Sequence, residues 1–329
     1  QFAKDRSYSV ENRITKNQDR VTLEQVIDYV KTLNPHAAGK RLDAHQHQLE
    51  AIWHALNERR TLLLSPTGSG KSLIIYVLCR YLLNLLPKDK KILIIVPTIS
   101  LVSQMYSDFF EYSQKTNWKC RDNCHKIHGG QDKESDKRII ISTWQSIYKM
   151  PKKYFDQFEA VIGDECHLFK SKSLASIMSK LTNCDWRIGT TGTLDGSMTH
   201  KLVIEGLFGP TYHTTTTKKL IDQELLSNIN IDCLQLQYSP EEIQQTKKML
   251  YVDEIRWVVS NPRRNTFIKN LCNKLTGNTL VLFNFVELQG KPLYELIKAS
   301  SQKPVYFIQD RKSTRLNSSH ANISYAVFC

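Results

Sequence analysis

The 329-residue sequence contains no apolar run long enough to cross a bilayer and no segment that reads as a signal peptide, so a membrane-spanning or secreted protein is not expected. Its eight cysteines, at positions 79, 120, 124, 166, 184, 233, 272 and 329, lack the paired spacing of a disulfide-stapled domain. A cytoplasmic protein with reduced thiols is therefore expected. There is no long basic block or arginine-rich arm either. The runs Lys88-Asp89-Lys90-Lys91 and Lys152-Lys153 read as solvated faces. Metal-ligand spacing is also missing: Cys120, Cys124, His125 and His128 are crowded into one short segment, whereas a tetrahedral site needs two separated ligand pairs. No structural metal is expected. What the chain does have is an excess of positive charge, 45 Lys and Arg against 32 Asp and Glu, or +13. That permits attraction to a polyanion without implying that base sequence is read.

One glycine-containing string carries specific chemistry. Ser65-Pro66-Thr67-Gly68-Ser69-Gly70-Lys71-Ser72 follows the strand-like Thr61-Leu62-Leu63-Leu64 and precedes an apolar run over residues 73–86 that reads as a helix. Strand, loop and helix in that order are the context a phosphate-binding loop requires. A triphosphate needs several backbone N–H groups at close range, and Gly68 and Gly70 allow that approach, with Thr67 and Ser69 beside them. The helix starting near Lys71 adds its positive end. Lys71 is expected to reach the β- and γ-phosphates of ATP, and the Ser72 hydroxyl to hold Mg²⁺. The first position is Ser65, where the general pattern has glycine.

The second string, Asp164-Glu165-Cys166-His167, closes the strand-like Ala160-Val161-Ile162-Gly163. Ligands of open α/β sheets bind at the carboxyl ends of strands. Asp164 is expected in the Mg²⁺ shell and Glu165 beside the attacking water. Cys166 reads as a packing residue.

In that order the two strings resemble the nucleotide core of superfamily 2 helicases, and further segments follow the family's sequence. Gln48 stands where these proteins carry an adenine-reading glutamine. Pro97-Thr98 with Gln104, Gly129, and Thr143 within Ile141-Ser142-Thr143-Trp144-Gln145 resemble nucleic-acid-contacting segments, while Thr191-Gly192-Thr193 matches the link between hydrolysis and strand movement. His167 is expected to join the nucleotide site to that link. The wording is most similar to the UvsW-type helicases of T-even-like phages. The resemblance implies ATP and Mg²⁺ as cofactors and backbone contacts to DNA, branched or as an RNA–DNA hybrid, in the cytoplasm of an infected host cell. A restriction-type translocase subunit or an RNA helicase are the alternatives. Each transferred residue also has a plainer reading: Gln48 as a surface glutamine, Thr98 and Thr143 as helix N-caps, Gly129 as a turn, Thr191 and Thr193 as the end of a strand.

Alternating strand-like and helical stretches across residues 41–215 imply a doubly wound parallel sheet of the RecA-like P-loop class. Residues 1–40 read as an accessory segment whose helix opens at Thr22, with Gln25 completing a capping box. Residues 211–217 read as a connector, 229–236 as a strand, 240–275 as helical, and 280–283 as the first strand of a second RecA-like lobe, so that 216–309 forms a connector and an incomplete lobe. No motif V or VI is found downstream of Phe283, and the family's charge-stabilising arginines come from motif VI; the resemblance therefore implies weak binding and slow hydrolysis of ATP by this chain. Residues 310–320 and 323–329 match, codon for codon, a translated short-read sequencing adapter interrupted by an index, and are set aside as a processing scar. Without residues 310–329 the net charge is +11, because Arg311, Lys312 and Arg315 leave with Asp310.

Overall fold

A computed structural model describes residues 20–129, 132–170, 172–194, 198–309 and 325–328. The chain divides into two compact units, Gln1–Ile229 and Asn230–Cys329. The expected lobe boundary at 215/216 falls inside the first.

The first described helix, Leu23–Leu33, begins where Thr22 Oγ1 accepts from Gln25 N and Gln25 Oε1 accepts from Thr22 N. This closes the capping box and satisfies two N–H groups that the first helical turn leaves without partners. A small hairpin, β1 (His36–Ala37) and β2 (Lys40–Arg41), leads into the helix Gln46–Glu58.

A seven-stranded sheet organises the rest of this unit: β3 (Arg60–Leu64), β4 (Lys91–Val96), β5 (Cys124–Ile127), β6 (Ile139–Thr143), β7 (Phe158–Gly163), β8 (Trp186–Thr191) and β9 (Thr211–His213), in the spatial order β5-β6-β4-β7-β8-β3-β9. Every neighbouring pair is parallel. Parallel strands need crossovers, so helices cover both faces and the strands become apolar throughout. Alternation decides which face each residue supplies. Leu63, Ile92, Ile94 and Ile141 join the core under the helices Gln46–Glu58, Lys71–Leu85 and Ile99–Tyr112. Leu62, Leu93, Ile95 and Ile140 join the opposite core with Ile177 and Met178 of the helix Lys172–Lys180 and Phe208 of the helix Met198–Phe208. Full burial of each such side chain contributes about 1.5–3 kcal/mol.

The expected strands over 62–64, 92–96, 139–142, 160–164 and 186–190 are present within a residue or two. Two expectations fail. Residues 211–217 hold a strand at their start: β9 pairs with β3 through Leu62–Thr211, Leu63–Tyr212 and Leu64–His213 and forms the sheet edge. A three-residue strand is too short for alternation to declare it. Residues 229–236 form no strand, and Ile229, Ile231 and Leu234 are exposed. Their alternating pattern has no pairing partner among the described residues, and a strand exists only through its ladder.

The second unit contains the helices Pro240–Thr246, Tyr251–Ser260, Pro262–Lys274 and Lys291–Lys298. Ser239 opens the first of these with a capping box to Glu242, and Asn261 caps the third through Arg264 N. Cys272, Phe283 and Ile297 centre a small core. Here β10 (Leu280–Phe283) and β11 (Tyr306–Gln309) each pair antiparallel with β12 (Tyr325–Phe328), giving the order β10-β12-β11. β10 and β11 thus run parallel to each other, and the middle strand comes from the segment set aside as adapter-encoded.

Candidate nucleotide and nucleic-acid sites

The carboxyl ends of β3, β7 and β8 place three loops side by side. At the end of β3 the chain turns through Ser65 to Gly70 and enters the helix Lys71–Leu85. Gly68 and Gly70 both have φ of +81°, a left-handed conformation that glycine adopts without penalty. At Gly70 the need is also steric, since a Cβ would overlap Gln48 Nε2. Ser69 N donates to Pro66 O at 3.2 Å, and the Ser65 and Ser69 hydroxyls are 2.7 Å apart. Thr214 Oγ1 lies 3.1 Å from Ser65 Oγ, so Ser65 fixes the loop by hydroxyl contacts in the place where the general pattern has glycine. Thr67 and Gly68 form the exposed crown.

Gln48 is buried and spans two segments: its Oε1 accepts from His45 N at 2.9 Å, and its Nε2 donates to Ser69 O at 2.8 Å. The surface-glutamine reading is therefore wrong. His47 Nε2 reaches the same carbonyl at 3.0 Å. A cavity of about 430 Å³ beside them is lined by His45, Gln46, His47, Thr214 and Lys219.

Lys71 Nζ lies 3.3 Å from Ser65 O and 3.8 Å from Glu165 Oε1. Ser72 Oγ pairs with Tyr112 Oη at 2.8 Å. β7 ends with Asp164 N still bonded to Ile95 O at 2.9 Å, after which Glu165 takes a φ of +52° and the chain enters a 3₁₀ turn over Cys166–Lys170. A non-glycine residue in this region is strained, and such strain collects at functional sites. Cys166 is fully buried, its Sγ 3.1 Å from Gly163 O, and it occupies the space that a Gly189 Cβ would need.

Thr190 Oγ1 donates to Asp164 Oδ1 at 2.7 Å. Burial, followed by the Glu165 charge, raises the Asp164 pKa above the ordinary 3.8, against the opposing effects of Thr190 and Lys71. Glu165 is shifted the other way, below 4.5, first by its hydrogen bond to His167 and then by Lys71. The Thr191 hydroxyl gives its proton to Thr193 O at 2.9 Å, so at 3.0 Å from His167 Nδ1 it accepts. This assigns the proton to Nδ1, which also lies 3.3 Å from Glu165 Oε2. A Cβ at Gly192 would lie 3.3 Å from Thr67 Oγ1 and 3.6 Å from Lys71 Nζ, so the Thr191-Gly192-Thr193 segment abuts the phosphate loop.

The carboxyl ends of β4 and β6 open a separate cleft of about 650 Å³, lined by Pro97, Thr98, His128, Gly129, Lys133, Thr143 and Gln145. Thr98 accepts from Leu101 N at 3.3 Å and caps the helix Ile99–Tyr112. Thr143 Oγ1 contacts Ser146 Oγ at 2.9 Å and does not cap through the backbone. Gln104 stands exposed on the helix Ile99–Tyr112 and does not line the cleft. Among the described residues no group of three or more His, Cys, Asp or Glu side chains is placed to share a metal, and no helix is long and apolar enough to cross a membrane.

Sequence reasoning missed Thr190, Thr214 and Tyr112. Thr190 carries a weak signal, being adjacent to Thr191 on a strand bound for the site. Tyr112 carries none, because it lies 40 residues from Ser72.

A parallel sheet carrying a phosphate loop at one strand end and paired carboxylates at another defines a RecA-like P-loop nucleoside triphosphatase. Comparison with known proteins narrows the class. The family described as "Type III restriction enzyme, res subunit" matches residues 40–196. The ATP-dependent DNA helicase uvsW of Enterobacteria phage T4 is 34% identical over 294 residues, which is 87% of this chain and 57% of that protein. The crystal structure of the UvsW helicase from bacteriophage T4 aligns with a TM-score of 0.54 and 35% identity, covering 59% of this chain and 68% of that one. The DNA 3'-5' translocase XPB2 of Sulfurisphaera tokodaii is 27% identical over 186 residues, 55% of this chain and 37% of that protein. The chain belongs to the superfamily 2 helicases, with phage UvsW as a relative. It spans little more than half the length of that curated relative.

Proposed function

We propose that this chain supplies the ATP-gripping lobe of a DNA helicase or translocase that moves along nucleic acid by its backbone, on branched DNA or RNA–DNA hybrids in the cytoplasm of an infected bacterial cell. The observation that carries the reading is the continuous contact from Lys71 through Glu165 and His167 to Thr191, which joins the phosphate loop to the Thr191-Gly192-Thr193 segment. Kinship with phage UvsW supports the DNA substrate.

The backbone of Thr67 to Ser72 and the positive end of the helix Lys71–Leu85 receive the triphosphate, with Lys71 as the point charge on its outer phosphates. The donors beside it, the Ser72 hydroxyl and the Asp164 carboxylate, are hard oxygens that suit Mg²⁺, and Asp164 is a buried carboxylate whose charge calls for a cation. Mg²⁺, when bound, neutralises charge on the phosphate oxygens. Glu165, kept ionised by His167 and Lys71, accepts a hydrogen bond from the attacking water and orients it. Gln48 couples the base to the phosphate loop, since its amide already ties His45 to Ser69. Pro97, Thr98, Gly129 and Thr143 hold strand phosphates in the second cleft, with Gln104 further along the backbone path.

Residues 41–215 act as the first lobe, 216–309 as connector and partial second lobe, 1–40 as an accessory segment, and 310–329 as adapter-encoded. Resequencing the gene across codon 309 tests the last assignment. For the function, strand separation by the full-length gene product on forked DNA, a DNA–RNA hybrid and duplex RNA, with Lys71→Ala beside it, is decisive. Unwinding that survives Lys71→Ala sinks the motor reading. ATP-driven movement on duplex DNA without strand separation favours the second reading, a restriction-type translocase subunit, which the matched family description supports.

A further inference from the structure

Ser72 is held from outside the nucleotide motifs. Its hydroxyl pairs with Tyr112 Oη at 2.8 Å, and Asp108 is near enough that Ser72 opposes the rise burial gives its carboxyl pKa. Both belong to the last turn and a half of the helix Ile99–Tyr112, whose first turn is capped by Thr98 at the nucleic-acid cleft. Tyr112 is buried, and its ring packs edge-on against Tyr76 at 5.4 Å, so its hydroxyl has little freedom to seek another partner.

A serine hydroxyl has one proton and two lone pairs. Donation of that proton to the Asp108 carboxylate obliges the Tyr112 O–H to occupy one lone pair, which leaves a single lone pair for a cation. We propose that Tyr112 and Asp108 are positioning residues for the Mg²⁺ ligand Ser72: they select its rotamer and its free lone pair, and so tie metal-dependent nucleotide binding to the pose of the helix that reaches the nucleic-acid cleft. This rests on the nucleotide-site reading above. Neither residue touches the nucleotide, so both act through Ser72.

The test is a titration of the 329-residue chain with a fluorescent ATP analogue, across free Mg²⁺ and again in EDTA, comparing wild type with Tyr112→Phe, Asp108→Asn and Ser72→Ala. Tyr112→Phe keeps the ring packed and removes only the hydroxyl. The expected result is that the Mg²⁺ midpoint rises about three- to tenfold in Tyr112→Phe and Asp108→Asn, a coupling of the usual size for neighbouring groups in one network, while affinity in EDTA stays at the wild-type value. Ser72→Ala should abolish the Mg²⁺ dependence, and adding Tyr112→Phe to it should change nothing further. An unshifted midpoint in both single variants overturns the proposal, and so does an equal loss of affinity with and without Mg²⁺, which would indicate a merely structural role. Wild-type protein that binds the analogue equally in Mg²⁺ and EDTA overturns the nucleotide-site reading itself.

Discussion

His167 donates from Nδ1 to Thr191 Oγ1 at 3.0 Å, and the same nitrogen lies 3.3 Å from Glu165 Oε2. The side chain therefore bridges the Glu165 carboxylate, itself 3.8 Å from Lys71 Nζ, and the segment on the neighbouring strand. His167→Ala is expected to leave nucleotide affinity within about twofold while reducing nucleic-acid stimulation of ATP hydrolysis by about five- to 150-fold, the usual range of coupling between sites. The comparison is hydrolysis with and without DNA in the full-length protein. Equal loss at both would show that His167 serves hydrolysis alone.

Asp164 and Glu165 respond to pH in opposite directions. Asp164 has a folded-state pKa raised above 3.8, so its charged form opposes folding; the stability it contributes is complete below pH 3.8 and is lost as pH rises through the folded value. Asp164→Asn keeps an acceptor for the Thr190 hydroxyl and removes the buried charge. Urea unfolding at pH 7 should show the variant more stable by about 1 kcal/mol, with the gain vanishing near pH 4, while Mg²⁺-dependent nucleotide binding is lost. For Glu165, with its pKa lowered below 4.5, stability is present above that value and is lost as pH falls through the folded one.

Gly70→Ala places a methyl group into Gln48 Nε2 at a φ of +81°. The cost is about 1–3 kcal/mol of backbone strain together with loss of the Gln48 to Ser69 bond. Reduced affinity for an ATP analogue and a lower unfolding midpoint should appear together; wild-type affinity would show that the loop relaxes freely.

Cys166 is a packing residue whose thiol burial drives well above its ordinary pKa. It should resist alkylation by iodoacetamide in the folded chain at pH 8 while the exposed Cys233 reacts. Gly189→Ala, which drives a Cβ to 2.9 Å from Cys166 Sγ and 2.8 Å from Leu62 Cδ1, should destabilise by about 1–3 kcal/mol in urea unfolding.

Much of the first unit was legible because its strands announce themselves. Residues 92–96 and 160–163 are apolar runs that lead into Pro97-Thr98 and Asp164-Glu165, and a parallel sheet buried on both faces imposes that pattern. β9 escaped because three residues cannot alternate, and 229–236 misled because alternation without a partner strand is not a strand. Of the site, the phosphate loop and the Asp164-Glu165 pair were readable since their chemistry is local in the chain. The partners of those residues were not.

The order of residues alone determined which groups gather at the candidate site: Lys71 and Ser72 follow the glycines at the start of one helix, and Asp164 and Glu165 follow one strand, so neighbours in sequence are neighbours in space. Only the tertiary structure decided what sets their charge and pose. Thr190 reaches Asp164 across 26 residues, His167 reaches Thr191 across 24 and Tyr112 reaches Ser72 across 40. Such contacts depend on strand order and helix packing, and no local pattern encodes which distant side chain a crossover will bring alongside.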